Sequence, residues 1–311
     1  MLSRTADNLF WTARYVERAD FLARILDSAT RLSALPASHT DNTWESVIAS
    51  AGQAKAFYAR HPTATEQTVR DFLAFDPANP SSIRSCLDVA RANGRAVRTA
   101  LTTEMWEPIN DAWRHLREVK PASMDHEGFI RFLEWVEHVT LVFDGSARRT
   151  MLRNDAYWFL RLGGAVERAD NVARILDVKY HLLLPAREQV GGGLDYFQWT
   201  TILREVSALT AYHWVYRDSV KPWLVADLLI LNAQMPRSLR SSYDVITAHV
   251  DLLAEAYGKR GPSQRLAHTI QSRLAAADIQ SIFQSGLHEF IARFLNDNAG
   301  VTAAIAEQYL V

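Results

Sequence analysis

The chain has 311 residues, of which 48% are hydrophobic and 22% charged, proportions of a globular protein that can bury a sizeable core. Lys and Arg number 34 and Asp and Glu number 35, so the formal net charge of −1 argues against nucleic-acid binding through a global positive field. A single cysteine, Cys86, excludes an intramolecular disulfide, and the lack of any run of about 18 apolar residues or of a signal-peptide core predicts a cytoplasmic chain without a membrane span.

Apolar residues recur at spacings of three or four along nearly the whole chain, whereas alternation with period two is rare, so the sequence predicts an all-α protein. The predicted helices run over 4–33, 42–60, 64–75, 80–106, 108–119, 125–150, 155–184, 195–217, 221–232, 237–258, 263–276 and 279–309. Prolines favour several of these starts, because proline fits the first turn of a helix. They are Pro80, Pro108, Pro222, Pro236 and Pro262.

One stretch of the first predicted helix nearly recurs in the seventh. The sequence YVERADFLARILD, residues 15–27, resembles AVERADNVARILD, residues 165–177, at a constant offset of 150. Further matches follow in the same order: Trp44 with Trp199, the segment from Asp71 with that from Asp227, and HEGFIRFL with HEFIARFL. We infer a duplicated helical unit, residues 1–150 and 151–311, whose copies merge into one bundle and one domain over 1–311.

The repeated helix carries its charges on two faces. At 100° per residue, Glu17, Asp20, Arg24 and Asp27 share one narrow polar face. Arg18 instead emerges from the apolar side of the helix, and the second copy reproduces the pattern. The pairs Asp20–Arg24 and Asp170–Arg174 have the i,i+4 spacing of ion pairs on a solvated face, which contribute about 0.2–0.5 kcal/mol each.

An arginine on an apolar face must either extend to solvent or be buried with a carboxylate. The pairs Glu17–Arg18 and Glu167–Arg168 are therefore candidates to meet across the bundle in a buried charge network. Two interpretations stay open for such a network. It fixes the register of the helices, or it binds an anion or a carboxylate-bearing ligand through its guanidinium groups.

Other candidate residues give weaker signals. Arg84 and Arg240 follow helix-starting prolines by one turn, a place from which an arginine contributes to an anion site or caps a neighbouring helix. His213, within AYHWVY, is expected to pack in an aromatic layer. No Glu-x-x-His pair, glycine-rich phosphate loop or nucleophile elbow occurs, so neither a metal nor a cofactor is predicted.

Three segments together resemble a known family: MLSRTADNLFWTARYVERAD, TMLRNDAYWFLRLGGAVERAD and NPSSIRSCLDVARANGRAVR. They are similar to the alpha-E family, bacterial all-helical proteins named for their Glu-Arg motif. The resemblance runs from the first residue to about the last helix. Similar proteins are typically encoded beside circularly permuted ATP-grasp proteins and transglutaminase-like proteins. By association, the resemblance implies a role in a system that makes or trims peptide or amide bonds.

The family motif corresponds to Arg14, Glu17 and Arg18 in the first copy and to Glu167 and Arg168 in the second. The second motif commonly reads Gly-Arg before its Glu-Arg, but here it reads Gly-Gly at 163–164. The partner of Arg14 is therefore missing, and a site that needs arginines from both copies is in doubt or asymmetric.

Three functional hypotheses follow from the sequence. The first is a non-catalytic partner or scaffold of an ATP-grasp-type peptide or amide ligase. The second is one component of a peptide-bond-forming enzyme that binds a carboxylate or peptide through the Glu-Arg motifs. The third is an independent helical module that binds a peptide or amino-acid ligand.

Overall fold

The computed structural model describes residues 1–33, 43–182 and 193–310, and the side chains of these ranges except 179–182 and 193–197. Residue 42 and residues 183–184, at the ends of two predicted helices, lie outside the described ranges. Within the described ranges every regular element is helical, which confirms the all-α prediction. None of the described helices is long and apolar enough to cross a membrane.

Fifteen α-helices form in the described residues. They are α1 (Ser3–Ser33), α2 (Thr43–Ser50), α3 (Ala54–Tyr58), α4 (Glu66–Arg70), α5 (Ile83–Ala96), α6 (Thr103–Glu118), α7 (His126–Thr150), α8 (Asp155–Leu182), α9 (Gly193–Glu205), α10 (Leu209–Tyr216), α11 (Pro222–Ile230), α12 (Leu239–Tyr257), α13 (Pro262–Ala276), α14 (Ile279–Ser285) and α15 (Leu287–Ile305). Single π-helical turns follow α4 and α15, at Asp71–Phe75 and Ala306–Leu310.

The two longest helices, α1 and α8, pack against each other at the centre of the bundle. Helices α5 and α7 cover α1, while α12 and α15 cover α8. These covering helices begin in the segments that match in sequence, α5 with α12 and α7 with α15. The arrangement is the one expected of two copies facing each other, although the duplication itself remains an inference from the sequence.

Glycine at position 163 lets α1 and α8 approach closely. A Cβ atom on Gly163 would lie 2.1 Å from the carbonyl oxygen of Phe10, far inside van der Waals contact. Phe10 itself is fully buried. The neighbouring Gly164 has no atom within 4 Å of the corresponding Cβ position. The Gly-Gly pair therefore combines one obligatory glycine with one that leaves open space.

Three segments that are each predicted as one continuous helix are divided into two helices in the structure. The prediction over 42–60 breaks at Gly52, that over 195–217 at Ser207 and that over 279–309 at Gly286. All three residues have positive φ angles, of 66°, 53° and 99° respectively. A residue in the left-handed conformation changes the direction of the chain and ends the helix. The spacing of apolar residues does not indicate where such a residue occurs.

The proline-based starts are correct only in part. Pro222 and Pro262 open their helices as predicted, but Pro108 lies inside α6, so the predicted break between 80–106 and 108–119 is wrong. The break falls instead between Ala96 and Thr103. The helices predicted from Pro80 and Pro236 begin only at Ile83 and Leu239. Ser82 and Ser238 act as N-caps, each hydroxyl accepting a hydrogen bond from the backbone N–H three residues on.

We expect Gly163→Ala to destabilise the protein by about 3 kcal/mol or more, because its methyl group can be placed only by separating α1 from α8. Gly164→Ala is the matched control, since alanine stabilises a helix interior by up to about 1 kcal/mol relative to glycine where space exists. Denaturant unfolding monitored by circular dichroism measures both free energies of unfolding. Equal effects of the two substitutions would contradict the close approach at Gly163.

Candidate functional site

The Glu-Arg motifs of α1 and α8 meet across the helix crossing in two reciprocal pairs. Arg18 donates to both carboxylate oxygens of Glu167, with Nε–Oε1 and Nη2–Oε2 distances of 2.5 and 3.1 Å. Arg168 donates to both oxygens of Glu17, with Nε–Oε1 and Nη2–Oε2 distances of 2.9 and 2.6 Å. Each helix thus supplies one glutamate and one arginine, and both pairs have the two-point geometry that suits a guanidinium and a carboxylate.

Each glutamate also receives a second arginine, but from different places. Arg14 on α1 donates to Glu167 over 2.8 Å. Glu17 receives its second arginine from outside the two helices: Arg237, which lies just before α12, donates to it over 3.2 Å. Arg237 therefore supplies the positive charge that an arginine at position 164, the counterpart of Arg14, would supply. The second arginines come from different elements, but each glutamate contacts two arginines.

Sequence reasoning did not single out Arg237, although a signal was present. In the matched segments PSSIRS and PRSLRS, Ser81 occupies the position of Arg237. The hydroxyl of Ser81 accepts a 3.3 Å hydrogen bond from Arg18, so both matched positions touch the network. A serine-to-arginine difference in a segment that otherwise matches was the available clue.

The interpretation of Asp20 and Arg24 as charges on a solvated face is wrong. Both residues are buried, and Asp20 accepts hydrogen bonds from Arg24, Arg237 and Thr140 at 2.9, 2.7 and 2.9 Å. Arg24 also reaches Glu137 on α7 at 2.9 Å and the Ser207 hydroxyl at 2.7 Å. Helix α7 and the turn before α10 cover this face of α1, which places the pair inside the network.

The corresponding pair on α8 is more exposed. Arg174 donates to Asp170 over 2.7 Å, and its side chain retains 36% of its accessible surface. The arginine also lies over Gly52, at the turn that ends α2. For this copy the expected i,i+4 pair is present, and its partial exposure fits the solvated interpretation.

The network controls the ionisation of its carboxyl groups. Burial raises the pKa of Asp20, but Arg237 and Arg24 outweigh burial and bring it down to about 2. Burial likewise opposes ionisation of Glu167, whereas Arg18 and Arg14 hold its pKa below the ordinary value. Burial alone would lower the pKa of Arg18, but Glu167 raises it. Asp20 and Glu167 are therefore ionised, and Arg18 is protonated, at neutral pH.

This geometry favours helix register over ligand binding as the role of the Glu-Arg motifs. Arg18 and Arg168 already hold carboxylates of the same chain in two-point hydrogen bonds. An external carboxylate must displace Glu167 or Glu17 and leave a buried negative charge uncompensated, which is costly. A cavity of about 90 Å³ does adjoin Arg168 and Gly164, but Glu17, Asp20 and Asp144 line it beside three arginines.

The remaining candidate residues lie apart from the network. Arg240 donates over 3.4 Å to the carbonyl oxygen of Leu231, the residue that closes α11, as expected of an arginine that caps a neighbouring helix. Arg84 is half-buried and has no hydrogen bond or ion pair with the residues that the structure describes. His213 contacts the buried Tyr212 ring edge-on at a centroid distance of 5.7 Å, but it is exposed, so it lies at the margin of the aromatic cluster and not inside a packing layer. Across the described ranges, no three His, Cys, Asp or Glu residues cluster as metal ligands would.

We expect Glu167→Gln to lower the free energy of unfolding by about 3 kcal/mol, because Arg14 and Arg18 would then share a buried position without a carboxylate. Glu127→Gln is the matched control: its ion pair with Arg131 is on the surface, so the change should stay within about 0.5 kcal/mol. Urea unfolding of both variants measures the difference. Similar small losses would show that the network does not hold the helices.

An arginine at position 164 should be able to replace Arg237 in part. Arg237→Ser should cost about 2 kcal/mol, because Glu17 and Asp20 each lose a charged hydrogen bond. Adding Gly164→Arg should restore about half of that loss, since position 164 corresponds to Arg14 and has open space. A double-mutant cycle on unfolding free energies measures the coupling. Additive effects would contradict the exchange of positions.

Comparison with known proteins agrees with this geometry. The Alpha-E family model, described as a predicted alpha-helical domain with a conserved ER motif, matches residues 1–310. Uncharacterised proteins of Mycobacterium bovis and Mycobacterium tuberculosis are each 23% identical over 327 residues, which cover 98% of this chain and 36% of theirs. The chain thus spans about a third of the length of these relatives. No solved structure matches it. Because the family match extends over nearly every residue, the chain belongs to the Alpha-E family.

Proposed function

We propose that this chain is a non-catalytic helical partner, or scaffold, of an ATP-grasp-type peptide or amide ligase. The arginines of the Glu-Arg network already bind carboxylates of the same chain, which supports a structural role for the motif. Arg14, Arg18 and Arg168 are all engaged by glutamates of the same chain. Recognition of a partner then depends on the outer surface of the bundle.

The observation that carries the proposal is a pair of exposed tryptophans on neighbouring short helices. Trp214 on α10 retains 80% of its accessible surface, and Trp223 on α11 retains 48%. Val215, beside Trp214, is exposed as well. Tryptophan is enriched among the residues that dominate protein–protein binding energy, and exposed apolar patches of this kind mark interaction sites. We therefore assign the partner-binding surface to α10 and α11.

The length of the relatives supports the same proposal. This chain matches about a third of the mycobacterial proteins, so in those proteins an Alpha-E unit is covalently joined to further polypeptide. Joining raises the effective concentration of two units that act together. A unit that is joined to further polypeptide in its relatives is one that acts beside another polypeptide, which supports the partner role.

The main alternative is a ligase component that binds a substrate carboxylate through the motif. It would require Arg18 or Arg168 to release its glutamate when substrate arrives. Nothing in the arrangement favours that release, because the two-point pairs are short and Glu167 is almost completely buried. The partner role therefore remains the better-supported function.

Co-expression with a circularly permuted ATP-grasp protein, of the kind typically encoded beside similar proteins, tests the proposal. We expect the two proteins to elute together in size-exclusion chromatography. Trp214→Ala should weaken the complex at least about tenfold, as loss of a central interface tryptophan does, while the melting temperature stays unchanged because the side chain is exposed.

Leu152→Ala is the matched control, since Leu152 is 76% exposed on a different part of the chain. It should leave the complex intact. If both proteins are folded and do not associate, the partner role is wrong. If they associate and Trp214→Ala has no effect, the binding surface lies elsewhere.

A further inference from the structure

A small cavity lies between α1, α2, α8 and α9, away from the Glu-Arg network. Its volume is about 50 Å³, and its walls are mainly aliphatic, with Ile25 and Ile175 from the two central helices and Val47 and Ile202 from α2 and α9. Pockets for whole drug-sized ligands measure about 300–1,000 Å³. The cavity therefore has room only for one end of a ligand.

The walls of the cavity consist of residues at matched positions of the two halves. Ile25 corresponds to Ile175 at the offset of 150, and Val47 corresponds to Ile202 at the offset of 155. These pairs keep the same aliphatic character. A third pair changes its chemistry, because Ser50 in the first half corresponds to Glu205 in the second. The lining thus combines aliphatic side chains with the carboxyl of Glu205, and its other polar residues are Thr43, Ser46, Ser50, Gln198 and Thr201.

Glu205 differs from the glutamates of the network in having no counter-ion. Among the described residues its carboxyl group has no hydrogen bond and no ion pair, whereas Glu17 and Glu167 each receive two arginines. Among the side chains that the structure describes on α1, α2, α8 and α9, no other charged one lines the cavity. Burial raises the pKa of Glu205 to about 8. The carboxyl is therefore mostly protonated at neutral pH, and a bound cation would favour its ionised form.

We propose that this cavity binds the ammonium end of an alkylammonium group, with Glu205 as its counter-ion. The hydroxyl of Ser50 accepts one N–H hydrogen bond, and the aliphatic walls from Ile25 and Ile175 enclose the first methylenes of the stem. An ammonium group supplies the positive charge that the carboxyl lacks, and its alkyl stem suits the apolar walls. The group comes from a free aliphatic amine or from a lysine side chain of a peptide. This inference does not depend on the partner role.

The proposal implies a specific pH dependence. Binding requires the carboxylate form of Glu205, while the ammonium stays protonated up to about pH 10. Because the pKa of Glu205 in the free protein is about 8, the affinity rises as the pH is raised towards 8. The ionised fraction increases roughly fiftyfold between pH 6 and pH 8. The dissociation constant should fall by a similar factor.

Isothermal titration calorimetry at pH 6 and pH 8 with n-butylammonium, and with n-butanol as a neutral probe of similar shape, tests the proposal. We expect butylammonium to bind far more tightly at pH 8 than at pH 6 and butanol to show no pH dependence. Glu205→Gln should weaken butylammonium binding at least tenfold and remove its pH dependence. Glu127→Gln, which changes an exposed glutamate, should leave both unchanged.

The melting temperature of Glu205→Gln at pH 8 checks that the variant folds; it should equal or exceed that of the parent, because only an unpaired carboxyl is lost. Equal affinity for butylammonium and butanol at pH 8, or unchanged affinity in Glu205→Gln, would overturn the proposal. Titration with Nα-acetyl-lysine methylamide distinguishes a peptide lysine from a free aliphatic amine as the source of the ammonium group. Tighter binding of this probe than of butylammonium assigns a peptide lysine, and weaker binding assigns a free amine.

Discussion

The packing of α1 against α8 places two glutamates in the interior, and the rest of the bundle must accommodate their charges. Gly163 brings the helices so close that Glu17 and Glu167 lose contact with solvent. A buried carboxylate is tolerated only with cations and hydrogen bonds around it. The arginine that follows each glutamate points across the crossing to the opposite glutamate, so the helices can neither slide nor rotate without breaking both pairs. The register of α1 against α8 is therefore fixed by the pairing of these glutamates and arginines.

The two halves satisfy the same charge requirement with different residues. Glu167 obtains its second arginine from its partner helix, through Arg14, whereas Glu17 obtains it from the turn before α12, through Arg237. The fold therefore requires two arginines around each buried glutamate, but it does not require that they come from a particular helix. Glu205 departs from this rule, because its carboxyl has no counter-ion in the part of the chain that the structure describes.

Much of this arrangement could be predicted from the sequence, and the exceptions share a cause. The period of the apolar residues indicated the helices, and Arg18 on the apolar side of α1 indicated a buried partner, which is Glu167. The burial of Asp20 was not predictable, because it depends on α7 and on a turn far along the chain. Ser207 ends α9 with a positive φ angle that serine does not signal. In each case the deciding contact comes from outside the local segment.

The turn between α9 and α10 links the charge network to the two features on which the proposals rest. Glu205 ends α9 at the cavity, Ser207 holds the buried Arg24 through its hydroxyl, and α10, which carries Trp214, begins two residues later. A left-handed serine fixes the direction of this short connection, and its hydrogen bond ties that direction to the charge network. The hydrogen bond from Arg24 therefore connects the end of α9, which carries Glu205, and the start of α10, which carries Trp214, to the buried charge network.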